Sequence, residues 1–217
     1  MLNELNHRVK NTLATVQSIV SQTLRNAPTP PEARNLIEQR MIALSRAHDV
    51  LTWEKWEGAD LHAIVQQALA PFRAPGHDRF HVRGPGVRLS ARMALDLAMA
   101  LHELGTNAFK YGALSDASGA VDLTWCVDHH NTPPHLKLRW KEKDGPPVAP
   151  PIRRGFGTRL IERSLAQDLG GTARIEFAPT GVICTVDTPL TEPMDIVSPV
   201  QLHPAASTPL TEQPRGR

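Results

Sequence analysis

Residues 100–115, with the sequence ALHELGTNAFKYGALS, carry the pattern that decides the fold. Apolar side chains recur here every three or four positions and predict one buried helix face, formed by Leu97, Leu101, Leu104 and Ala108. Glu103, Asn107 and Lys110 fall on the opposite face. A carboxylate, an amide oxygen and an ammonium suit a nucleotide site, because Mg²⁺ takes hard oxygen ligands and lysine neutralises phosphate charge. Spacing alone, however, is more typical of an ordinary solvated helix face.

The segments around this helix predict a layered domain. Ser90 is a plausible N-cap for the helix, and Asp60 for an earlier amphipathic helix that ends near residue 70. Strand patterns occur at 79–83, 87–89, 121–127, 136–142, 172–177 and 182–188. The last four read as two antiparallel pairs, with helical spacing over 157–169 between them. This mixture predicts an α+β sandwich with helices on one face of a mixed, mainly antiparallel sheet.

The N-terminal segment predicts a helical hairpin. Apolar residues recur at helical spacing over 2–24 and again over 36–51, and residues 26–31 interrupt the pattern. Thr29-Pro-Pro-Glu32 reads as a capping box at the start of the second helix. Two helices cannot bury both apolar stripes by themselves. The hairpin therefore pairs with a second copy in a four-helix bundle, or docks onto the rest of the chain.

Composition excludes several classes of protein. The 217 residues include 24 basic and 22 acidic side chains, a net charge of +2 that gives no nucleic-acid footprint. No apolar run approaches the roughly 20 residues that span a bilayer, and the N-terminus lacks a signal-peptide core. We therefore expect a cytoplasmic chain without a membrane span. Cys126 and Cys184 are expected to be reduced, buried thiols, with neither a disulfide nor zinc.

Two glycine-containing turns could complete a nucleotide site. Residues 139–148, RWKEKDGPPV, end a predicted strand in an acidic turn, where Glu142 or Asp144 could accept a hydrogen bond from an adenine amino group. Residues 155–158, GFGT, begin a predicted helix, where backbone amides and the helix dipole favour a phosphate. Each motif by itself is more typical of an ordinary turn.

The combination of motifs resembles the HWE family of sensor histidine kinases, a branch of the kinases that share the GHKL ATP-binding fold. The family name refers to a histidine in the asparagine box and a Trp-x-Glu pair in the first glycine box, here His102, Trp140 and Glu142. Residues 4–17, ELNHRVKNTLATVQ, and 47–51, AHDVL, resemble the phosphoacceptor hairpin of the family. The resemblance spans about residues 3–188, and four ordered motifs are far more specific than any one.

This resemblance implies an ATP-dependent protein-histidine kinase that phosphorylates His7 and passes the phosphoryl group to an aspartate of a response-regulator receiver. Asn107 would bind the Mg²⁺ that bridges the ATP phosphates, and Lys110 would meet phosphate. Glu103 would help to position or polarise His7. The other residues implied to contact ATP are Glu142, in the adenine-reading role, and Asp144, Gly145, Gly155, Gly157 and Thr158 of the two glycine boxes.

Two positions depart from the family pattern. Asp144 stands where the family often has a second glycine, and Arg8 follows His7 where other histidine kinases often have an acidic residue that orients the ring. His48 fits a structural or orienting role better than that of a second acceptor. The residue that orients the acceptor ring is left open between Asn11, Glu4 and Glu103.

The resemblance also implies an organisation and a set of partners. Residues 1–56 would form a hairpin for dimerisation and phosphotransfer, 57–190 a GHKL-type catalytic domain and 191–217 a disordered, proline-rich tail. Partners would be a response-regulator receiver, a second copy of the chain, and a sensor module in trans or in a missing upstream segment. The alternatives are a GHKL-type ATPase that switches conformation and a non-catalytic scaffold that binds a response regulator. The phosphoacceptor helix argues against the first, and the intact nucleotide motifs argue against the second.

Overall fold

The computed structural model describes residues 2–27, 29–53, 58–74, 76, 78–150 and 170–190. Its α-helices are α1 (Leu2–Asn26), α2 (Pro30–Trp53), α3 (Leu61–Leu69) and α4 (Ala91–Lys110), and short 3₁₀ turns span Ala70–Phe72 and Ala113–Ser115. Its strands are β1 (Ala59–Asp60), β2 (Phe80–Arg83), β3 (Arg88–Leu89), β4 (Ala120–Asp128), β5 (His135–Lys143), β6 (Thr172–Ala178) and β7 (Gly181–Pro189). The expected α+β class is confirmed.

Five of the described strands form one sheet in the order β2-β4-β5-β7-β6. β2 runs parallel to β4, and the other neighbouring pairs are antiparallel. The β4–β5 pair stays in register along its whole length, from Ala120 opposite Lys143 to Asp128 opposite His135. The short strands β1 and β3 pair with each other outside this sheet. The sheet is therefore mixed and mainly antiparallel, as the sequence predicts.

One face of the sheet is buried beneath α3 and α4, and the other faces solvent. Along β5 the buried side chains alternate with exposed or half-buried ones, as expected for a sheet with one solvent face. Trp140 of β5 has no exposed surface and shares a core with Leu97 and Leu101 of α4 and Leu69 of α3. This arrangement separates the inward residues of β5 from its outward residues by the thickness of the sheet.

Side-chain caps mark the starts of three helices at the positions predicted from sequence. Asp60, Ser90 and Thr29 each accept a hydrogen bond from the backbone N–H three residues further on, at 3.2, 3.3 and 3.4 Å respectively. Each cap satisfies a donor that the first helical turn leaves unpaired. The boundaries of α2, α3 and α4 thus follow from local chemistry.

The hairpin of α1 and α2 docks onto the sheet domain. Ala47 and Leu51 of α2 belong to the same core as α3, α4 and the sheet. A smaller cluster joins α1, α2 and α4 through Ile19, Leu44 and Met99. Docking onto the rest of the chain therefore covers one face of the hairpin, which is one of the two arrangements that the sequence left open.

The first helix keeps an uncovered apolar stripe. Val9, Leu13 and Leu24 are 49%, 61% and 61% exposed, and Ile42 of α2 is 52% exposed. A partner for this stripe must come from outside the described residues.

Some expectations from the sequence meet a different outcome. Cys126 is exposed, because it points to the solvent face of β4 while its neighbour Trp125 points inward; Cys184 is buried as expected. The predicted helix 157–169 and the tail 191–217 lie outside the described residues. Among the described helices, none combines the length and the apolar character needed to span a bilayer.

Candidate active site

Helix α4 carries the three polar residues expected at a nucleotide site, but it gives them different surroundings. Asn107 and Lys110 are exposed, whereas Glu103, one turn earlier, is only 6% exposed. The opposite face of α4 is core, formed among others by Leu97, Leu101, Leu104 and Ala108. Asn107 and Lys110 are therefore accessible to a ligand from solvent, and Glu103 is not.

Arg40 of α2 holds Glu103 in a buried ion pair. The Nε–H and Nη2–H groups of Arg40 donate to the two carboxylate oxygens of Glu103 at 2.6 and 3.1 Å. Its Nη1–H group donates to the hydroxyl of Thr23 on α1 at 2.6 Å. Arg40 is 3% exposed, so bidentate hydrogen bonds must offset the desolvation of both charges. The polar face of α4 is thereby tied to both helices of the hairpin.

Sequence reasoning missed Arg40, although a signal was present. Arg40 lies four residues after Leu36 and four before Leu44, on the apolar face of α2. An arginine at a core position of an amphipathic helix indicates a buried anionic partner, because an unpaired buried charge is very costly. The partner itself could not be read from the sequence, since Glu103 is 63 residues away.

Glu142 joins the end of β5 to the turn after α4. Its Oε2 atom accepts the backbone N–H of Ala113 at 2.9 Å, and the indole N–H of Trp140 lies 3.4 Å from its Oε1 atom. Glu142 is 2% exposed, and burial raises the pKa of its carboxyl, with the two hydrogen bonds acting in the opposite direction. This carboxylate therefore fixes the position of the first glycine box relative to α4.

Close backbone approaches build the same junction. A Cβ atom at Gly145 would lie 2.4 Å from the Cα atom of Ala113, and one at Gly112 would lie 2.1 Å from Oε2 of Glu142. Only glycine fits where two segments come this close. Gly145 was expected in a glycine box, and the structure gives it a packing role. Gly112 was missed, although a glycine soon after a helix end is a recognisable signal.

Asp144 explains why the family pattern favours glycine at its position. Its backbone φ is 55°, in the left-handed region that side chains with a Cβ atom adopt only at a cost. Its side chain is exposed. Asp144 therefore contributes backbone strain to the turn that follows Glu142.

We expect Asp144→Gly to raise the free energy of unfolding by about 0.5–1 kcal/mol, because glycine adopts positive φ without steric cost. Urea denaturation followed by circular dichroism measures the change. Asp144→Ala is the matched control, since it removes the same carboxylate but keeps the Cβ atom, and it should not stabilise the protein. Equal stabilisation by both variants would assign the effect to charge.

His102 occupies a packed position between α3 and α4. It is 6% exposed, and its ring centroid lies 5.4 Å from that of Phe72. Burial lowers the pKa of His102, while Glu103 and a hydrogen bond to the backbone of Ala68 act to raise it. An enclosed imidazole packed against Phe72 indicates a structural role for the histidine of the asparagine box.

His7 lies near the start of α1, far from Glu103. Thr23 follows His7 by 16 residues of one continuous helix, which corresponds to ~24 Å along the helix axis. Because direct hydrogen bonds link Thr23, Arg40 and Glu103, Glu103 is held beside the other end of α1. The structure thus brings Asn107, Lys110 and Glu142 to one side of the sheet domain without bringing Glu103 to His7. The remaining expected ligands, Gly155, Gly157 and Thr158, lie outside the described residues.

The donor set fits a magnesium ion that arrives with a nucleotide. Asn107 offers an exposed amide oxygen, and Mg²⁺ at phosphate sites usually keeps several waters and takes few protein ligands. Glu103 is already occupied by Arg40. In the part of the chain that the structure describes, no group of three or more His, Cys, Asp or Glu side chains could hold a metal by itself. The site suits an ion shared with phosphates better than a preformed cage.

Comparison with known proteins gives a consistent family. Residues 4–86 match the family model described as HWE histidine kinase. A blue-light-activated histidine kinase of Brucella ovis is 44% identical over 188 residues, which are 87% of this chain and 38% of that protein. A protein of the same description from Brucella anthropi is 42% identical over 205 residues, 93% of this chain and 42% of that one. The chain thus spans about two fifths of the length of these relatives.

Solved structures show the same fold. The blue-light activated histidine kinase of Erythrobacter litoralis superposes with a TM-score of 0.62 at 22% identity, over 88% of this chain and 59% of that one. Its separate histidine kinase domain gives a TM-score of 0.55 at 22% identity, over 71% of this chain and 75% of that domain. The helical hairpin and the mixed sheet therefore occur together in known histidine kinase structures.

Proposed function

Because the chain belongs to the HWE histidine kinase family, we propose that it is an ATP-dependent protein kinase that phosphorylates His7 and passes the phosphoryl group to an aspartate of a response-regulator receiver. One observation carries the proposal. The exposed Asn107 and Lys110 lie at the end of α4, next to the turn that Glu142 and Gly145 pack into place. A polar, accessible array beside a rigid turn is suited to a nucleotide.

Each residue of the array has a separate task. The amide oxygen of Asn107 would hold Mg²⁺, which neutralises charge on the ATP phosphates. Lys110 would pair with phosphate oxygens as a point charge. The adenine amino group would meet Glu142, whose carboxylate the Ala113 amide already holds in position. Because Glu142 is 2% exposed, the adenine would reach its carboxylate only when the turn after α4 opens.

The transfer itself needs a neutral imidazole at His7. One ring nitrogen attacks the γ-phosphorus in line, a P–N bond forms, the bond from phosphorus to the β,γ-bridging oxygen breaks, and ADP leaves. A carboxylate near the other ring nitrogen would orient the ring and stabilise the charge that develops on it. Glu103 is a candidate for this role once it reaches His7.

The Arg40–Glu103 ion pair supports a resting arrangement, meaning one in which Glu103 is engaged elsewhere and cannot act on His7. Glu103 is held ~24 Å along α1 from His7, a distance no side-chain rotation covers. The sheet domain must therefore move along the hairpin before Glu103 can act on the acceptor. That movement breaks the ion pair, so Arg40 favours the resting arrangement over the active one.

We expect Arg40→Met to destabilise the contact between hairpin and sheet domain by about 2 kcal/mol, since it leaves the Glu103 carboxylate buried without a partner. Opening of the contact rehydrates Glu103 and keeps the cost below that of a wholly enclosed ion. Hydrogen exchange of the amides of α4 measures the loss of protection. The double variant Arg40→Met/Glu103→Gln should regain most of the protection, because no buried charge is left.

Two outcomes would contradict the role given to this pair. Unchanged protection in Arg40→Met would show that the ion pair does not hold the domains together. A double variant no better protected than Arg40→Met would show that the loss comes from packing of the arginine stem. Arg34→Met is the matched control, because Arg34 lies on the same helix in an exposed pair with Glu38, and its loss should have little effect.

The proposed partners follow from the uncovered surfaces and the length of the relatives. The exposed Val9, Leu13 and Leu24 support pairing of α1 with a second copy of the chain. A sensor module, in cis or in trans, would supply the input, since the chain spans about two fifths of its relatives. The receiver of a response regulator would accept the phosphoryl group from His7.

Incubation with γ-labelled ATP and Mg²⁺ tests the proposal directly. The chain should acquire a label that is lost in acid and retained in alkali, as a P–N bond requires. An acid-stable label would indicate a hydroxyl acceptor and contradict the proposal. Release of labelled phosphate without any protein-bound label would favour the ATPase alternative.

A further inference from the structure

The solvent face of the sheet concentrates positive charge along β5. Its outward positions are occupied by Lys137, Arg139, Lys141 and Lys143, which alternate with buried residues. Cations two residues apart on one face of a strand repel each other, so the run does not stabilise the sheet unless anions lie beside it. This face lies opposite to the one that packs against α4.

The strand register places a further arginine and a threonine in line with Arg139. Thr124 of β4 lies opposite Arg139, and Arg83 of β2 lies opposite Thr124. Neighbouring strands are about 4.8 Å apart, so the backbones at Arg83 and Arg139 are separated by about 10 Å across the sheet. Two guanidinium groups thus flank one hydroxyl group on the same surface.

The carboxylates of this face already have partners. Asp122, Asp128 and Glu176 pair with Lys143, Lys137 and Arg174 at 2.9, 2.7 and 3.2 Å respectively. The imidazole rings of His81 and His135 lie 2.9 and 2.5 Å from Asp122 and Asp187. Within the part of the chain that the structure describes, the charged groups of Arg83, Arg139 and Lys141 form neither an ion pair nor a hydrogen bond. These three cations are the unmatched charge of the surface.

A groove of about 390 Å³ runs across β2, β4 and β5 between these side chains. Its lining holds four cations, Arg83, Arg139, Lys141 and Lys143, against the single carboxylate of Asp122, a net charge of +3 with His81 neutral. Grooves of this volume accept small molecules. Its charge selects an anion.

We propose that this groove binds a small molecule carrying at least two phosphate groups, at a site separate from the one on α4. An arginine fork engages phosphate oxygens through two hydrogen bonds, and a lysine adds a point charge. One phosphate group leaves most of the four cations of the groove without an anion, whereas linked phosphates can contact Arg83, Arg139 and Lys141 at the same time. The hydroxyl of Thr124 donates a hydrogen bond at the centre of the groove.

Inorganic tripolyphosphate is the probe, titrated calorimetrically into the full chain. Arg139→Gln should weaken binding about tenfold or more, because it removes the central bidentate contact. Arg83→Gln, on β2 at the other side of β4, should have a similar effect. Both side chains are exposed, so the melting temperature should change little. Inorganic phosphate should bind the wild-type chain about tenfold more weakly than tripolyphosphate, since it carries less negative charge and contacts fewer of the cations of the groove.

Two matched variants distinguish binding in the groove from binding at the nucleotide site and from a general effect of surface charge. Arg174→Gln removes the same charge from the same face, outside the groove, and should change affinity less than about twofold. In buffer without Mg²⁺, Asn107→Ala should leave tripolyphosphate binding intact, because the groove lies across the sheet from α4 and the role proposed for Asn107 requires the metal. Loss of binding in Asn107→Ala with retention in Arg139→Gln would place the probe at the nucleotide site and overturn the proposal.

Three other results would also overturn the proposal. These are absence of binding at about 1 mM tripolyphosphate, equal losses in Arg139→Gln and Arg174→Gln, and equal affinity for phosphate and tripolyphosphate. None of these outcomes depends on kinase activity, so the site on the sheet and the proposed function stand or fall separately.

Discussion

Replacing His7 with alanine should abolish the acid-labile label while ATP affinity stays within about twofold of wild type, because acceptor and nucleotide site lie on different elements. His7 is on α1, and Asn107, Lys110 and Glu142 belong to the sheet domain. Labelling with γ-labelled ATP measures the first effect, and calorimetric titration of ATP with Mg²⁺ measures the second. A stable label needs the imidazole of His7, whereas ATP binding does not.

The control for this experiment is another histidine. His129→Ala removes an exposed imidazole from the turn between β4 and β5, and should label like the wild-type chain. A full acid-labile label in His7→Ala would mean that a different histidine is the acceptor, with His48 of α2 the first to test. A His7→Ala chain that no longer binds ATP would contradict the separation of acceptor and nucleotide sites.

Asn107→Ala should reduce Mg²⁺-dependent ATP binding and labelling at least about a hundredfold, because it removes the metal ligand that the chain itself supplies. The fold should survive. Asn107 is exposed on α4, and alanine is the better helix former by about 0.5 kcal/mol, so the melting temperature should hold or rise slightly. Loss of binding in a chain of undiminished stability would locate the effect at the site.

The matched control removes an amide from another exposed helical position. Gln66→Ala on α3 should change neither ATP binding nor labelling. Measurement without Mg²⁺ adds a second check, since the difference between wild type and Asn107→Ala should then shrink. Full ATP-dependent labelling by a folded Asn107→Ala chain would remove Asn107 from the site.

Local rules were sufficient to predict most of the fold. The caps at Asp60, Ser90 and Thr29 and the apolar spacing of α4 each depend on residues within one or two helical turns. The strand pattern over 136–142 likewise predicted β5 and its antiparallel pairing with the strand before it. These features follow from backbone geometry, which is the same wherever the segment is placed.

The sequence also led to the proposal that Asn107, Lys110 and Glu142 contact the nucleotide, through motif and spacing, although not to what holds these residues in place. The hydrogen bond from Ala113 to Glu142 and the close packing of Gly112 against Glu142 join segments about 30 residues apart. No local sequence pattern predicts such contacts. The left-handed backbone conformation of Asp144 was likewise not predictable from the sequence and is seen only in the folded turn.

By itself, then, the sequence determined the helices and the two antiparallel strand pairs, because periodicity and capping act over short distances. It also supplied the proposals for the acceptor helix and the nucleotide array, through the order of its motifs. Only the tertiary structure decided that Arg40 takes Glu103 away from His7, and that Arg83 and Arg139 share one groove. Both facts depend on how α2 docks on α4 and how β2 and β5 flank β4. Such relations between distant segments are fixed by the packing of whole surfaces. Many residues each contribute a small, non-directional part of that packing free energy.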